Sequence, residues 1–595
     1  MYIVYLNNWD LARCVGQERL LVDAWLELAA DDVSPLHAGC LYSAFQLLTD
    51  LEGVVKDVDR DILNNYHITQ LATEILDRLD RETWIERCYP NDLPVLKDRL
   101  REVADRAADP AARGQFSSAL RAMLQKIGRE TVLREQILYI SDLVSNPATH
   151  FQRIVRATAE LTNDLLHFGH SRAHLHRWIL RTVVGDDSAT TYRDLFRNAQ
   201  HLTTAMPRPY RVLFHVFTPP AIANTAQIEF SDAAPPEFHL DANSPLALVA
   251  AGRFARVTVA AAFDHTAAVE RGTKLLQRYL CSNRFANLDF NRAVSTYCAV
   301  KEQAADYTMC ISGLRRLTER RLHNDDAFYG LPPDRRNEAT FSELDRIIYW
   351  LEQSWLSEPI GTLISQWTVL EFLCSTAGKS APEAIQALVP VYIAPQYPRL
   401  LLLDFWRFIV RSRVAIPQPV QQLLGIAGLP PREAESACNL QELFRLAIEP
   451  DAVNQILPFI QDYPILVYKW RRVTRLNPGM QAAGANHATV WDDVSELERT
   501  VVFNLQTFYR IRNSIVHDAE IDVLQLDRVC QRLNWLLCAT VDTILHQFTR
   551  NPSLRLTELH DVNSRWYTAW KEKLRDHGHP VNLTEVLNPR VHFLR

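Results

Sequence analysis

Leu497-Glu498-Arg499-Thr500-Val501-Val502-Phe503-Asn504-Leu505-Gln506-Thr507-Phe508-Tyr509-Arg510-Ile511-Arg512-Asn513-Ser514-Ile515-Val516-His517-Asp518 reads as one long helix. Leu497, Val501, Val502, Leu505, Phe508 and Tyr509 recur at the steps that lay an apolar stripe along a helix. At its end an arginine and an asparagine precede a histidine by five and four positions, a set that core packing does not require. Each residue advances ~100° around the axis, so Asn513 and His517 share a face, Arg510 falls within ~60° of it, and Arg512 lies ~140° from His517. A straight helix therefore separates Arg512 from His517. Three routes would bring them together: a distorted helix end, an arginine that wraps round, or a composite site at a two-fold axis where two copies meet.

The chain on either side is mostly helical in pattern. Amphipathic stretches run over Leu11 to Ala30, Pro35 to Leu51, Ile68 to Leu79, Leu93 to Ala107 and Gln115 to Arg129, after a short β-like segment at Met1 to Leu6. Asp109 to Gly114 and Asp186 to Thr190 read as loops. Between Pro207 and Phe263 the pattern changes: Tyr210 to Phe217, Gln227 to Phe230 and Ala255 to Ala260 have strand character, and helix returns at His265 to Cys281. A sheet edge there could recognise a trigger. Beyond a loop at Leu331 to Asn337, helices are expected at Asn337 to Trp355, Pro359 to Thr376, several between Pro382 and Arg475, Val490 to His517 and Val523 to Thr549, with a polar loop at Asn477 to His487. The expected class is mainly α: a multi-domain helical protein with a small β-containing insertion and a C-terminal helical bundle. Its divisions are 1–206 (N-terminal helical), 207–330 (small α+β with helical continuation), 331–549 (bundle) and 550–595 (helical tail).

Arg512-Asn513-Ser514-Ile515-Val516-His517 resembles the Arg-x4-His motif of HEPN ribonucleases, in its Arg-Asn-x-x-x-His form. A second segment, Leu363-Ile364-Ser365-Gln366-Trp367-Thr368-Val369-Leu370-Glu371-Phe372-Leu373, resembles the Trp-x-x-Leu-Glu-x-Leu helix that precedes the motif in Apea-like, abortive-infection HEPN proteins. The resemblance covers roughly the last two-fifths of the chain. It implies a metal-independent endoribonuclease in which the ribose 2′-hydroxyl attacks the adjacent phosphate, leaving a 2′,3′-cyclic phosphate and a 5′-hydroxyl. His517 would then be the general base or acid, since imidazole titrates near neutrality. Arg512 would present a charged planar fork to the phosphate, and Asn513 would orient the imidazole or bond a phosphate oxygen. Glu371, Arg510 and Tyr509 would support them, with Arg510 as the spare cation. The function expected is a regulated toxin or anti-phage effector that cuts RNA, tRNA being a suitable target, held silent by the preceding chain until a phage-derived or cellular trigger arrives. The alternative is a catalytically inactive HEPN-like module that dimerises or binds a protein partner.

Whole-chain composition sets limits. With 595 residues and a net charge of −6, the chain can bury large cores and is no general electrostatic binder of nucleic acid, so RNA contact must come from local patches. One is Arg315 to Arg321, read as an exposed helix face. The other, Lys469-Trp470-Arg471-Arg472-Val473-Thr474-Arg475, lies within the bundle, and its Lys469, Trp470, Arg471, Arg472 and Arg475 are the RNA-binding candidates, Trp470 stacking on a base. Ten cysteines without a Cys-x-x-Cys pair, no signal peptide and no apolar run of spanning length point to the cytoplasm. No glycine-rich phosphate loop is present, and no cofactor is expected. His170 and His174 have the spacing of a helical metal pair, but no acidic partner lies nearby in sequence, so no metal is expected either. Arg197-Asn198-Ala199-Gln200-His201 resembles a shortened motif and is read as solvated surface.

Overall fold

In the computed structural model, residues 16–575 are described except for 31–41, 82, 127, 147–150, 185–191, 218–223, 241–245, 247–252, 283–293, 306, 313–321, 323–324, 356–358, 376–379, 413, 449, 477–489 and 519–525. Met1 to Leu6, the Asp186 to Thr190 loop, the Arg315 to Arg321 patch and the Asn477 to His487 loop thus lie outside the described residues. The architecture is mainly α with one small antiparallel sheet. No described helix is long and apolar enough to cross a membrane.

The first ten helices are α1 (Gln17–Leu28), α2 (Ala44–Asp59), α3 (Asn65–Leu79), α4 (Thr83–Cys88), α5 (Asp92–Asp105), α6 (Pro110–Lys126), α7 (Arg129–Ser145), α8 (Phe151–His167), α9 (Arg172–Val184) and α10 (Tyr192–Thr204). They do not form one N-terminal unit with its own core. Leu47, Leu51, Ile68, Leu71, Ile75 and Leu100, from α2, α3 and α5, close a smaller core. By contrast α1 and α7 to α10 share a single continuous core with the helices of the last 270 residues, through Trp25, Ile140, Leu161 and Ile179 on one side and Trp367, Phe405, Trp470 and Phe508 on the other. The division at residue 206 therefore does not separate two cores. α1 shows why: Leu20 to Leu28 are buried on every face, which a helix at the edge of a bundle cannot achieve. The two cores are joined by Asp164, which accepts hydrogen bonds from Ser43 Oγ (2.5 Å), Gln46 Nε2 (2.9 Å) and Gln136 Nε2 (2.7 Å).

The insertion is a five-stranded antiparallel sheet in the order β2-β3-β1-β4-β5, built from β1 (Arg208–Val216), β2 (Ile228–Ser231), β3 (Arg253–Ala262), β4 (Val294–Glu302) and β5 (Met309–Ser312). β1 is central, with Val212 opposite Val257 of β3 and Val300 of β4. β4 and β5 extend the sheet beyond the three expected strands. Helix α11 (His265–Ser282) covers one face, with Ala268 and Leu276 in one core with Val212, Phe214 and Val257. Gly272 permits that approach, because a Cβ there would lie 3.2 Å from Val212.

Downstream, the expected helices are found at Glu338–Trp355, Pro359–Leu373, Val490–Asp518 and Leu526–Arg550. The last described helix, Leu556–Arg575, is no appendage: Leu559, Tyr567 and Trp570 join the main core, and His560 meets the Tyr392 hydroxyl at 2.6 Å.

Candidate active site

The motif helix, Val490–Asp518, runs without interruption past His517. Its buried stripe is the expected one, with Val501, Leu505 and Phe508 fully enclosed. Asn513 is 3 % exposed, whereas His517, on the same face one turn later, is exposed. The core therefore ends between these two residues, and the imidazole stands where the helix leaves the protein. Arg512, half-buried, donates from Nη1 to Asn513 Oδ1 (3.0 Å), and its Nε is buried with no hydrogen-bond partner. Arg512 and Asn513 are thus brought together, and no hydrogen bond joins either to His517 among the described residues.

The Trp-Glu helix, Pro359–Leu373, packs against the motif helix. Trp367 is fully buried, its Nε1 donates to Glu371 Oε1 (2.8 Å), and its ring lies 5.5 Å from that of Tyr509. Glu371 is therefore held by its own helix, not by an arginine. On the other side Tyr509 stacks on His67 of α3, with centroids 5.0 Å apart and ring planes at 23°. Burial, reinforced by the charge of Arg510, pushes His67 down to about 4, so this imidazole is neutral near neutrality.

Arg510 is not a spare cation. It is 4 % exposed and turned into the protein, donating to Asp50 Oδ2 (3.2 Å) and Thr507 Oγ1 (3.1 Å), with Glu74 at 3.9 Å. Its neighbours are acids of α2 and α3, which the sequence separates from it by more than 400 positions. Glu74 is pushed up to about 8 by burial, against the opposing pull of Arg510. A 3.9 Å separation is at the limit of an ion pair and Glu74 Oε2 accepts no hydrogen bond, so burial outweighs the pairing and the carboxyl is largely protonated at pH 7.

The second basic stretch also turns inward, contrary to the RNA contact expected of it. Trp470 is 1 % exposed and packs 4.9 Å from the Phe405 ring, so it offers no face to a base. Lys469 is 2 % exposed and bonded to Asp404 (2.7 Å) and Glu27 (3.0 Å). Arg472 donates to the Tyr397 hydroxyl (3.3 Å), and Arg475 lies 3.8 Å from Asp493, in the first turn of the motif helix. These side chains fasten the Pro464–Thr474 helix to its neighbours. Arg471 alone of the five is exposed.

The pair His170 and His174, set aside for want of an acidic partner, has one in space. A ring nitrogen of His170, one of His174 and an oxygen of Asp264 all lie within 4.8 Å of one another, at the seam between α9 and the start of α11. The acid absent from the local sequence is supplied from 90 positions downstream.

The chain matches no family model, no curated protein and no solved structure.

Proposed function

We propose that the chain is a metal-independent endoribonuclease of HEPN type, acting as a homodimer and regulated as a toxin or anti-phage effector. The observation that carries the reading is the end of the motif helix. Arg512 and Asn513 are joined by a hydrogen bond at the rim of the core, and His517 is exposed one turn beyond. That is a cation and a proton-transfer group placed at a surface that a phosphodiester can reach.

Of the three routes that could unite Arg512 with His517, the dimer is the one we favour. The helix is regular to its end, and Arg512 is directed to Asn513. The exposed apolar residues Phe372 (62 %) and Val516 (46 %), neighbours in sequence of Glu371 and His517, are what a second copy would cover. In such a pair Arg512 stabilises the charge that accumulates on the non-bridging phosphoryl oxygens while His517 removes the 2′-hydroxyl proton. A histidine of the second copy protonates the departing 5′-oxygen. Regulation would act through α2, α3 and α8, which hold the motif helix by Arg510 to Asp50, Arg499 to Asp77 (3.0 Å) and Arg156 to Glu496 (3.0 Å).

The test is incubation of the purified full chain and its His517→Ala variant with total bacterial RNA in EDTA, followed by mapping of the ends. Cyclic-phosphate fragments made by the wild type and absent with the variant are expected. Persistence of such ends in the variant overturns the nuclease, and silence of both proteins leaves either a latent enzyme that needs its trigger or a HEPN-like binding module. The dimer is tested separately by a solution mass of about twice the 68.3 kDa chain.

A further inference from the structure

We propose that His170, His174 and Asp264 bind one divalent transition-metal ion of the zinc class, which fastens the sheet unit to the helical body. Two imidazoles and a carboxylate form the mixed nitrogen and oxygen set such ions prefer, and three protein ligands leave a fourth position open. Ligands ~2 Å from a tetrahedral ion lie ~3.3 Å from each other, so the three atoms, now within 4.8 Å, need close by at most about 1.5 Å.

The state of His170 is the second, independent observation. The residue is 4 % exposed, its Nε2 has the Leu202 carbonyl at 3.3 Å and Arg129 Nη2 at 3.4 Å, and its Nδ1 is buried without a hydrogen-bond partner. An unmatched buried polar atom carries a desolvation cost. With the proton on Nε2, directed at the carbonyl, Nδ1 is the lone pair that would bind metal. The His170 and His174 rings lie nearly parallel, with centroids 6.2 Å apart and planes at 16°.

The backbone is built to hold this geometry. Asp264 accepts from Ser171 N (2.9 Å), Ser171 Oγ (2.8 Å) and Ala267 N (2.8 Å), tying the starts of α9 and α11 together and leaving about one of its four lone-pair directions for an ion. Gly169, at φ 103°, makes the turn into His170, and a Cβ there would stand 2.9 Å from the Phe263 ring. The cationic neighbour Arg129 stacks on Phe263 at 4.1 Å and meets His170 only on the Nε2 side, 3.4 Å away.

The experiment uses the full chain stripped by chelator and titrated with Zn²⁺ and with Co²⁺, alongside His174→Gln, at a half-buried position that tolerates change, and Asp264→Asn. Expected are one ion per chain, visible cobalt absorption of tetrahedral type, a rise in Tm on zinc addition, and at least a ~10-fold loss of affinity in His174→Gln. His517→Ala, run in parallel, is expected to bind like the wild type. Failure of the wild type to take up an ion, or uptake unchanged in a folded His174→Gln, overturns the proposal. Circular dichroism of both variants separates lost binding from lost folding.

Discussion

Lys469 to Arg475 and Tyr509 to His517 look alike as sequence: each is a helical segment rich in arginine with aromatic residues beside it, and each suggests RNA. The structure treats them oppositely. Lys469 and Trp470 are sealed in the core and the Lys469 charge is spent on Asp404 and Glu27, whereas the motif ends at an exposed imidazole. The difference lies in where each helix stops. Pro464–Thr474 has helices packed around most of its length, so a long basic side chain meets protein acids before it meets solvent. The motif helix carries its last turn out of the core. Basic composition reports a need for negative partners, and only the helix's position says whether those partners are carboxylates or phosphates.

That contrast can be broken most directly at His517. His517→Ala is expected to lower the rate of RNA cleavage by ~10²- to 10⁴-fold without changing the thermal midpoint, measured on the full chain in EDTA. Lys469→Met should do the reverse: loss of about 3 to 5 kcal/mol of stability in urea titration, because Asp404 and Glu27 are left uncompensated in the interior, with no change in RNA affinity of the folded protein. A loss of RNA binding at unchanged stability would place Lys469 back among the nucleic-acid contacts.

Glu74, beside Arg510, sharpens the comparison further. Its folded value of about 8 stands above the ordinary 4.5, so between these limits the folded chain keeps a proton that the unfolded chain has released. Its contribution is therefore fully present below about pH 4.5 and is lost as pH rises through 8. Glu74→Gln should be more stable than the wild type by about 1 to 3 kcal/mol at pH 8 and equal to it near pH 4.5, by chemical denaturation at both. The smallest effect is expected at Arg471, the exposed member of the buried stretch. Arg471→Ala should shift stability by less than ~0.5 kcal/mol and reduce the salt dependence of RNA binding by about one charge.

Much of the helical layout was legible. The motif helix and the Trp-Glu helix were placed to within a few residues, the first by its long apolar stripe and the second by a run that is apolar on every side. β4 was passed over because its partner lies far away: Val300 pairs with Val212 across β2, β3 and α11, and no local period announces it. The inward turn of Arg510 had the same cause, since Asp50 and Glu74 belong to a different core. Asp264 reads locally as a helix cap for Ala267, which it is, and nothing in its surroundings points back to His170. What sequence missed in each case was a contact between distant segments.

The bond between Glu27 and Lys469 spans 442 positions. At ~5 to 20 residues per second of synthesis, α1 waits roughly 20 to 90 seconds on the ribosome before its buried partner exists. Until then the face of α1 that meets the Pro464–Thr474 helix has no permanent cover, while α7, α8 and α9 already cover its other faces. The same delay is a safeguard: the helix bearing His517 emerges after Lys469, so a chain arrested early in translation never presents the imidazole at all.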